Sequence, residues 1–142
     1  MPRYMIQVRA TAMSEAGDFP DDSTLVTRMM AFHDEMARAG VLLDGAGLQP
    51  SSQGFRVHYD AAGQARVMDG PFAEAKELIA GYTLIEVRSR DEALAWARRF
   101  PAPFPGQPCC IEVRPLMGGI DLPPEDAERI IREQLAAIKR GP

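Results

Sequence analysis

The sequence predicts an α+β domain, with two helices laid over one face of an antiparallel sheet. Three observations carry the prediction. Tyr4 to Arg9 alternates: Tyr4, Ile6 and Val8 face one way and Met5, Gln7 and Arg9 the other, as in a half-buried strand. Leu25, Met29, Phe32 and Met36 follow at spacings of 4, 3 and 4, which puts them on one face of a helix. Gly81 to Val87 is rich in Tyr, Thr, Ile and Val and reads as a central strand, with a second helix pattern directly after it.

The elements then fall in order. Thr11 to Asp22, with Gly, Pro and acids, reads as a loop. Asp22 or Ser23 caps the first helix and Gly40 ends it. Val41-Leu42-Leu43 is a short apolar strand that stops at Asp44-Gly45. Gly47 to Ser52 is a turn-rich connection. Phe55, Val57 and Tyr59 alternate with Arg56 and His58, Asp60 to Gly63 forms a hairpin loop, and Gln64 to Met68 returns as the partner strand. Ser89 and Glu92 make a capping box for the second helix, whose Ala93, Trp96, Ala97 and Phe100 point inward. Pro101, Pro103 and Pro105 stiffen the next loop, and Cys110 to Arg114 is the last strand. Strand, helix, strand, hairpin, strand, helix, strand is the order of a ferredoxin-like sandwich with an inserted β-hairpin. Its second sheet face, lined by Gln7, Arg9, Cys110, Glu112 and Arg114, is too mixed for a monomer core and suits a dimer. The chain thus divides into a domain at 1–117 and a tail at 118–142. In the tail, Pro123-Pro124 starts a helix at Glu125, with Ala127, Ile131, Leu135 and Ile138 on one face.

Composition narrows the function classes. The chain has 142 residues, 46% apolar and 25% charged, as in a soluble globular domain. Its net charge of −4 argues against nucleic-acid binding, which needs a basic face. No apolar run approaches the roughly 18 residues of a membrane span, and the N-terminus enters a strand without a signal peptide. Cys109 and Cys110 are adjacent, so a routine disulfide between them is not expected, and a reduced, cytoplasmic setting is the simplest reading. A redox pair is the sharper alternative. The eight Met residues fall on helix faces and strands and read as core filling. No P-loop, dinucleotide fingerprint or G-x-S-x-G elbow is present, and no cofactor is expected.

The richest segment runs from Asp69 through Gly70, Pro71, Phe72, Glu74, Lys76 and Glu77 to Gly81-Tyr82. It packs four ionisable side chains around a rigid turn at the mouth of the central strand. Gly70 and Pro71 restrict the backbone, and Asp69 either caps the turn or serves a site. A partly buried carboxylate beside another acid works as a general acid or base, and Asp69 and Glu77 are the candidates. Arg9 and Lys76 are the candidate electrostatic partners for substrate, with Glu74 and His33 as further binding groups. His33 borders the apolar stripe of the first helix, where a hydrogen-bonded structural role competes with lining a pocket. His58 lies on the hairpin, expected in solvent. The two histidines have no metal-ligand spacing, and no metal site is expected.

The Asp69-Gly70-Pro71-Phe72 motif, with Ala73-Glu74-x-Lys76-Glu77 and Gly81-Tyr82, resembles the DGPF subgroup of YCII-related proteins. Ala39-Gly40-Val41-Leu42 with Gly45, Gly47, Leu48 and Pro50, then Asp91 to Leu94 with Trp96-Ala97, and Glu112 to Pro115, resemble that group's other elements. The resemblance covers about residues 3 to 117. It implies a ferredoxin-like fold and a homodimer of the dimeric α/β-barrel type. It also implies a helix histidine with a nearby acid in some relatives, but that histidine position falls on Met29 here, one turn before His33. The expectation is a cytoplasmic homodimer binding a small polar metabolite between the first helix, the Asp69 segment and the sheet, with metal-free acid–base work by Asp69 or Glu77. The competing expectation, also implied by the resemblance, is a non-catalytic regulatory module that acts beside an extracytoplasmic-function sigma factor, through the C-terminal helix.

Overall fold

A computed structural model describes residues 1–18, 23–118 and 124–141. Strand β1 spans Arg3–Arg9, helix α1 Ala12–Glu15, helix α2 Ser23–Arg38 and strand β2 Leu42–Gly47. The hairpin is β3, Phe55–Tyr59, with β4, Ala65–Asp69. Strand β5 is Ile79–Glu86, helix α3 Arg90–Arg99, strand β6 Ile111–Pro115 and helix α4 Pro124–Arg140. The main sheet has the order β2-β5-β1-β6, all antiparallel, and β3-β4 forms a separate sheet. The α+β architecture with an inserted hairpin and a C-terminal helix therefore agrees with the sequence pattern. Of the expected helix starts, Asp22 and Pro123 lie outside the described residues.

Register decides which face is core. Ile6 pairs with Thr83 and Val113, and Tyr4 pairs with Ile85, so these side chains share one face. Phe32 and Met36 of α2 and Ala93 of α3 pack on it, with Val41 and Val87 closing the cluster. Ile6, Met36 and Ile85 are 0% exposed. Full burial contributes about 1.5–3 kcal/mol for each such side chain. The opposite face carries Met5, Gln7, Tyr82, Leu84 and Glu112, none fully buried, as the alternation anticipates.

Helix ends follow local chemistry. Gly40 sits just past α2 at φ +76°, the left-handed position where glycine has no Cβ penalty. Ser89 Oγ accepts from the Glu92 amide at 3.2 Å, while the Glu92 carboxylate reaches one residue further back, to the Arg88 amide at 2.8 Å.

Two segments depart from the sequence reading. β2 does not stop at Asp44-Gly45 but continues to Gly47, because its backbone keeps pairing with β5 as far as Gly81. The stretch from Thr11 is not all loop, because Thr11 and Ser14 cap each other reciprocally around the single turn α1. That turn has a task. Glu15 accepts the Ser51 amide at 3.0 Å and the Ser51 hydroxyl, and Ser51 Oγ accepts the Phe72 amide at 3.0 Å. Gly70 donates to Gly54 O at 3.0 Å, and the Gly70–Pro71 peptide is cis. The Arg56 guanidinium lies 3.9 Å from the Phe72 ring centroid. The Asp69 to Phe72 segment is thus clasped to Ser51 and, through it, to Glu15. Every side chain of β3 and β4 is exposed, and a lone two-stranded hairpin is marginal in water, so this clasp is a main restraint on the hairpin base. Glu15→Ala removes both carboxylate acceptors. We expect it to cost about 1.5–3 kcal/mol in urea denaturation. An unchanged midpoint would show that the clasp carries no stability.

Candidate functional site

A cavity of about 380 Å³ lies between α2, the β2–β5 pair and the loop after α3. It falls within the size range of small-molecule sites. Val8, Met29, Met30, Phe100, Pro103 and Phe104 make it mostly apolar. His33 and Thr83 supply its polar side-chain pair. Helix periodicity brings His33 there: it follows Phe32, which turns into the core, and it stands one turn after Met29.

The hydrogen bonds of His33 fix its tautomer. Nδ1 lies 2.8 Å from Met29 O, and a carbonyl oxygen only accepts, so Nδ1 carries a proton. In the neutral ring Nε2 is then the acceptor, and the Thr83 hydroxyl donates to it at 2.9 Å. Thr83 is 2% exposed, so its hydroxyl is held rather than free to seek water. Phe32 and Phe100 meet the imidazole edge-on, with centroids at 6.4 and 6.1 Å. A Cβ on Gly45 would stand 3.5 Å from His33 Nε2, so the glycine leaves the space beside that nitrogen open. The pair can exchange a proton without losing a contact. When Nε2 gains one, it donates to Thr83 Oγ1, and the hydroxyl turns from donor to acceptor.

A second cavity, about 370 Å³, is lined by Arg9, Ala10, Thr11, Lys76, Pro108, Cys109 and Cys110 and shares no residue with the first. The Arg9 guanidinium donates to Lys76 O and lies 3.8 Å from Glu112 Oε1. Both cysteines are free thiols and exposed.

The candidates read from the sequence are therefore divided. His33 lines the first cavity, and Arg9 and Lys76 meet at the second. Asp69 ends β4 opposite Phe55, and Glu77 sits in the exposed turn Ala75–Glu77. Glu74 precedes that turn in the left-handed region, at φ 62°. Asp69, Glu74 and Glu77 border neither of these two cavities. His58 is exposed on the hairpin, opposite Arg66. Among the described residues no three His, Cys, Asp or Glu side chains are grouped to hold a metal ion. No described helix is long and apolar enough to cross a membrane.

Sequence reasoning passed over Thr83 and the clasp residues Glu15 and Ser51. Thr83 did carry a signal. It is a hydroxyl at an inward position of the alternation Gly81, Thr83, Ile85, and a buried hydroxyl requires a partner.

Comparison with known proteins bears on the whole arrangement. The model of the YCII-related domain matches residues 3–117, from β1 through β6. An uncharacterised protein of Rhizobium meliloti (strain 1021) is 35% identical over 105 residues, which covers 74% of this chain and 83% of that one. With a family match over most of its length, and its sheet, its hairpin and helices α1 to α3 inside the match, the chain belongs to the YCII-related domain family.

Proposed function

We propose that this protein sits with the DGPF subgroup of its family, works as a homodimer, and binds a small polar metabolite in the His33 cleft. There, the Thr83 hydroxyl passes its proton to His33 Nε2 and takes one from the ligand in its place, so the pair relays the proton. One observation carries the reading: a histidine with both ring nitrogens held lies in a largely apolar cavity of about 380 Å³. Apolar walls exclude water and strengthen a polar contact inside them. Asp69 and Glu77 border neither cavity, so this reading moves proton transfer from them to His33. The sheet face bearing Met5, Gln7, Tyr82 and Leu84, away from α2 and α3, supports the dimer. A solution mass of 15.6 kDa at all working concentrations would overturn that part.

The test is a thermal-shift screen of small polar metabolites on the wild type, His33→Gln and Thr83→Val. A ligand at about a hundred times its Kd stabilises the wild type by about 2.7 kcal/mol. His33→Gln loses most of that shift. Thr83→Val, which leaves Nε2 without its donor, costs about 1–3 kcal/mol in the unliganded protein and weakens the same ligand. Equal ligand shifts in all three proteins would place binding elsewhere.

A second reading is favoured by α4. Its Ile131, Leu135 and Ile138 are 58%, 54% and 73% exposed, an apolar stripe at helical spacing. In that reading the stripe docks on an extracytoplasmic-function sigma factor, and the protein is an accessory module. Co-purification that survives Leu135→Asp would remove the support for it.

A further inference from the structure

We propose that the cavity at the ends of β1 and β6 is a second ligand site, which binds the carboxylate or phosphate group of a small metabolite through Arg9 and Lys76. It is separate from the His33 cleft, since the two share no lining residue. On β1, Val8 lines one and Arg9 the other, as neighbours on a strand pointing to opposite faces do.

Arg9 is held ready for an anion. Its guanidinium donates to Lys76 O, and its side chain is only 26% exposed. A guanidinium presents five N–H donors in a fixed plane, which matches the two oxygens of a carboxylate or phosphate. The Lys76 carbonyl is one anchor, and Glu112 at 3.8 Å is a loose second. Because Arg9 grips the backbone of Lys76, the guanidinium and the base of the lysine side chain are held together across 67 residues of sequence. The Lys76 ammonium has no carboxylate within ion-pair distance among the described residues. The lining of the cavity holds two cations and no carboxylate, in a chain whose net charge is −4. A cleft lined by one sign of charge concentrates ions of the other sign, here an anion. Pro108 and Ala10 offer an apolar wall for the body of the ligand.

Cys109 and Cys110 line the same cavity as free thiols, so they report on its occupancy. The experiment measures their alkylation by mass spectrometry in low salt, with neutral iodoacetamide and anionic iodoacetate. In the wild type, inorganic phosphate or succinate at millimolar concentration slows iodoacetamide labelling, and sodium chloride of equal ionic strength does not. Iodoacetate is drawn in, so Lys76→Met lowers the ratio of iodoacetate to iodoacetamide rates by about tenfold. The same substitution abolishes protection. Lys76→Met carries the test because its side chain is exposed and the carbonyl that binds Arg9 remains. Protection by phosphate alone or by succinate alone identifies the group preferred. The proposal is overturned if neither protects, if chloride protects equally, or if the rate ratio is unchanged in Lys76→Met. None of these outcomes depends on His33, so the reading of the first cleft stands or falls separately.

Discussion

Gly70→Ala lowers the unfolding free energy by about 4 kcal/mol or more, a large share of the roughly 5–15 kcal/mol that holds a domain folded. A Cβ at this position would stand 1.8 Å from the carbonyl oxygen of Ser51 and 2.7 Å from its carbon. Both atoms are backbone, so no side-chain rotation relieves the clash. The chain must separate there, and the separation breaks a series of contacts. The Gly70 amide leaves Gly54 O, the Phe72 amide leaves Ser51 Oγ, and the grip of Glu15 on Ser51 is disturbed. Gly54→Ala is the control. It lies in the same clasp, but its Cβ would meet only Ser51 O at an ordinary 3.6 Å, and its φ of −114° suits any residue. Guanidinium denaturation of both variants decides the matter. Equal midpoints for the two would show that the close approach at Gly70 is not the reason for glycine there.

Phe32→Ala is expected to cost about 3–5 kcal/mol and to lower Tm by about 10–20 °C. Phe32 is 6% exposed at the centre of an aromatic group. Its ring meets Trp96 at 5.8 Å and Phe100 at 5.7 Å, both edge-on, the geometry that aromatic quadrupoles favour. Arg99 lies across the Phe32 and Trp96 rings and pairs with Glu35. Truncation leaves a cavity between α2 and α3 and removes the support of Phe100, which walls the His33 cleft. A ligand of that cleft should therefore bind more weakly to Phe32→Ala, although Phe32 is not among the cleft's lining residues. Calorimetry reads both effects. A loss below about 1 kcal/mol would mean that the helices repack around the gap.

Much of this architecture was legible before any coordinates. The alternation of β1 and of the Gly81–Val87 run, the stripe of α2 and the cap at Ser89 each depend on residues a few positions apart. Chemistry of that range shows in sequence directly. The helical turn α1 was missed because its reason is partly remote: Glu15 is placed to hold Ser51, 36 residues on. The Asp69 segment was marked correctly as special and read incompletely. Its charges drew attention, whereas its tightest constraint is the uncharged Gly70.

The site shows the same division. Residue types were visible, with His33 on the border of a helix stripe and Arg9 and Lys76 as candidate cations. Their grouping was not, because His33 meets Thr83 across 50 positions and Arg9 meets Lys76 across 67. Period and capping are properties of the local backbone, so they specify elements, their inward faces and the family to which they belong. Cavities, clashes and paired charges are distances between separate segments. Those distances exist only once β1, β5 and α2 have packed, and the packing put the histidine in one cavity and the cations in another.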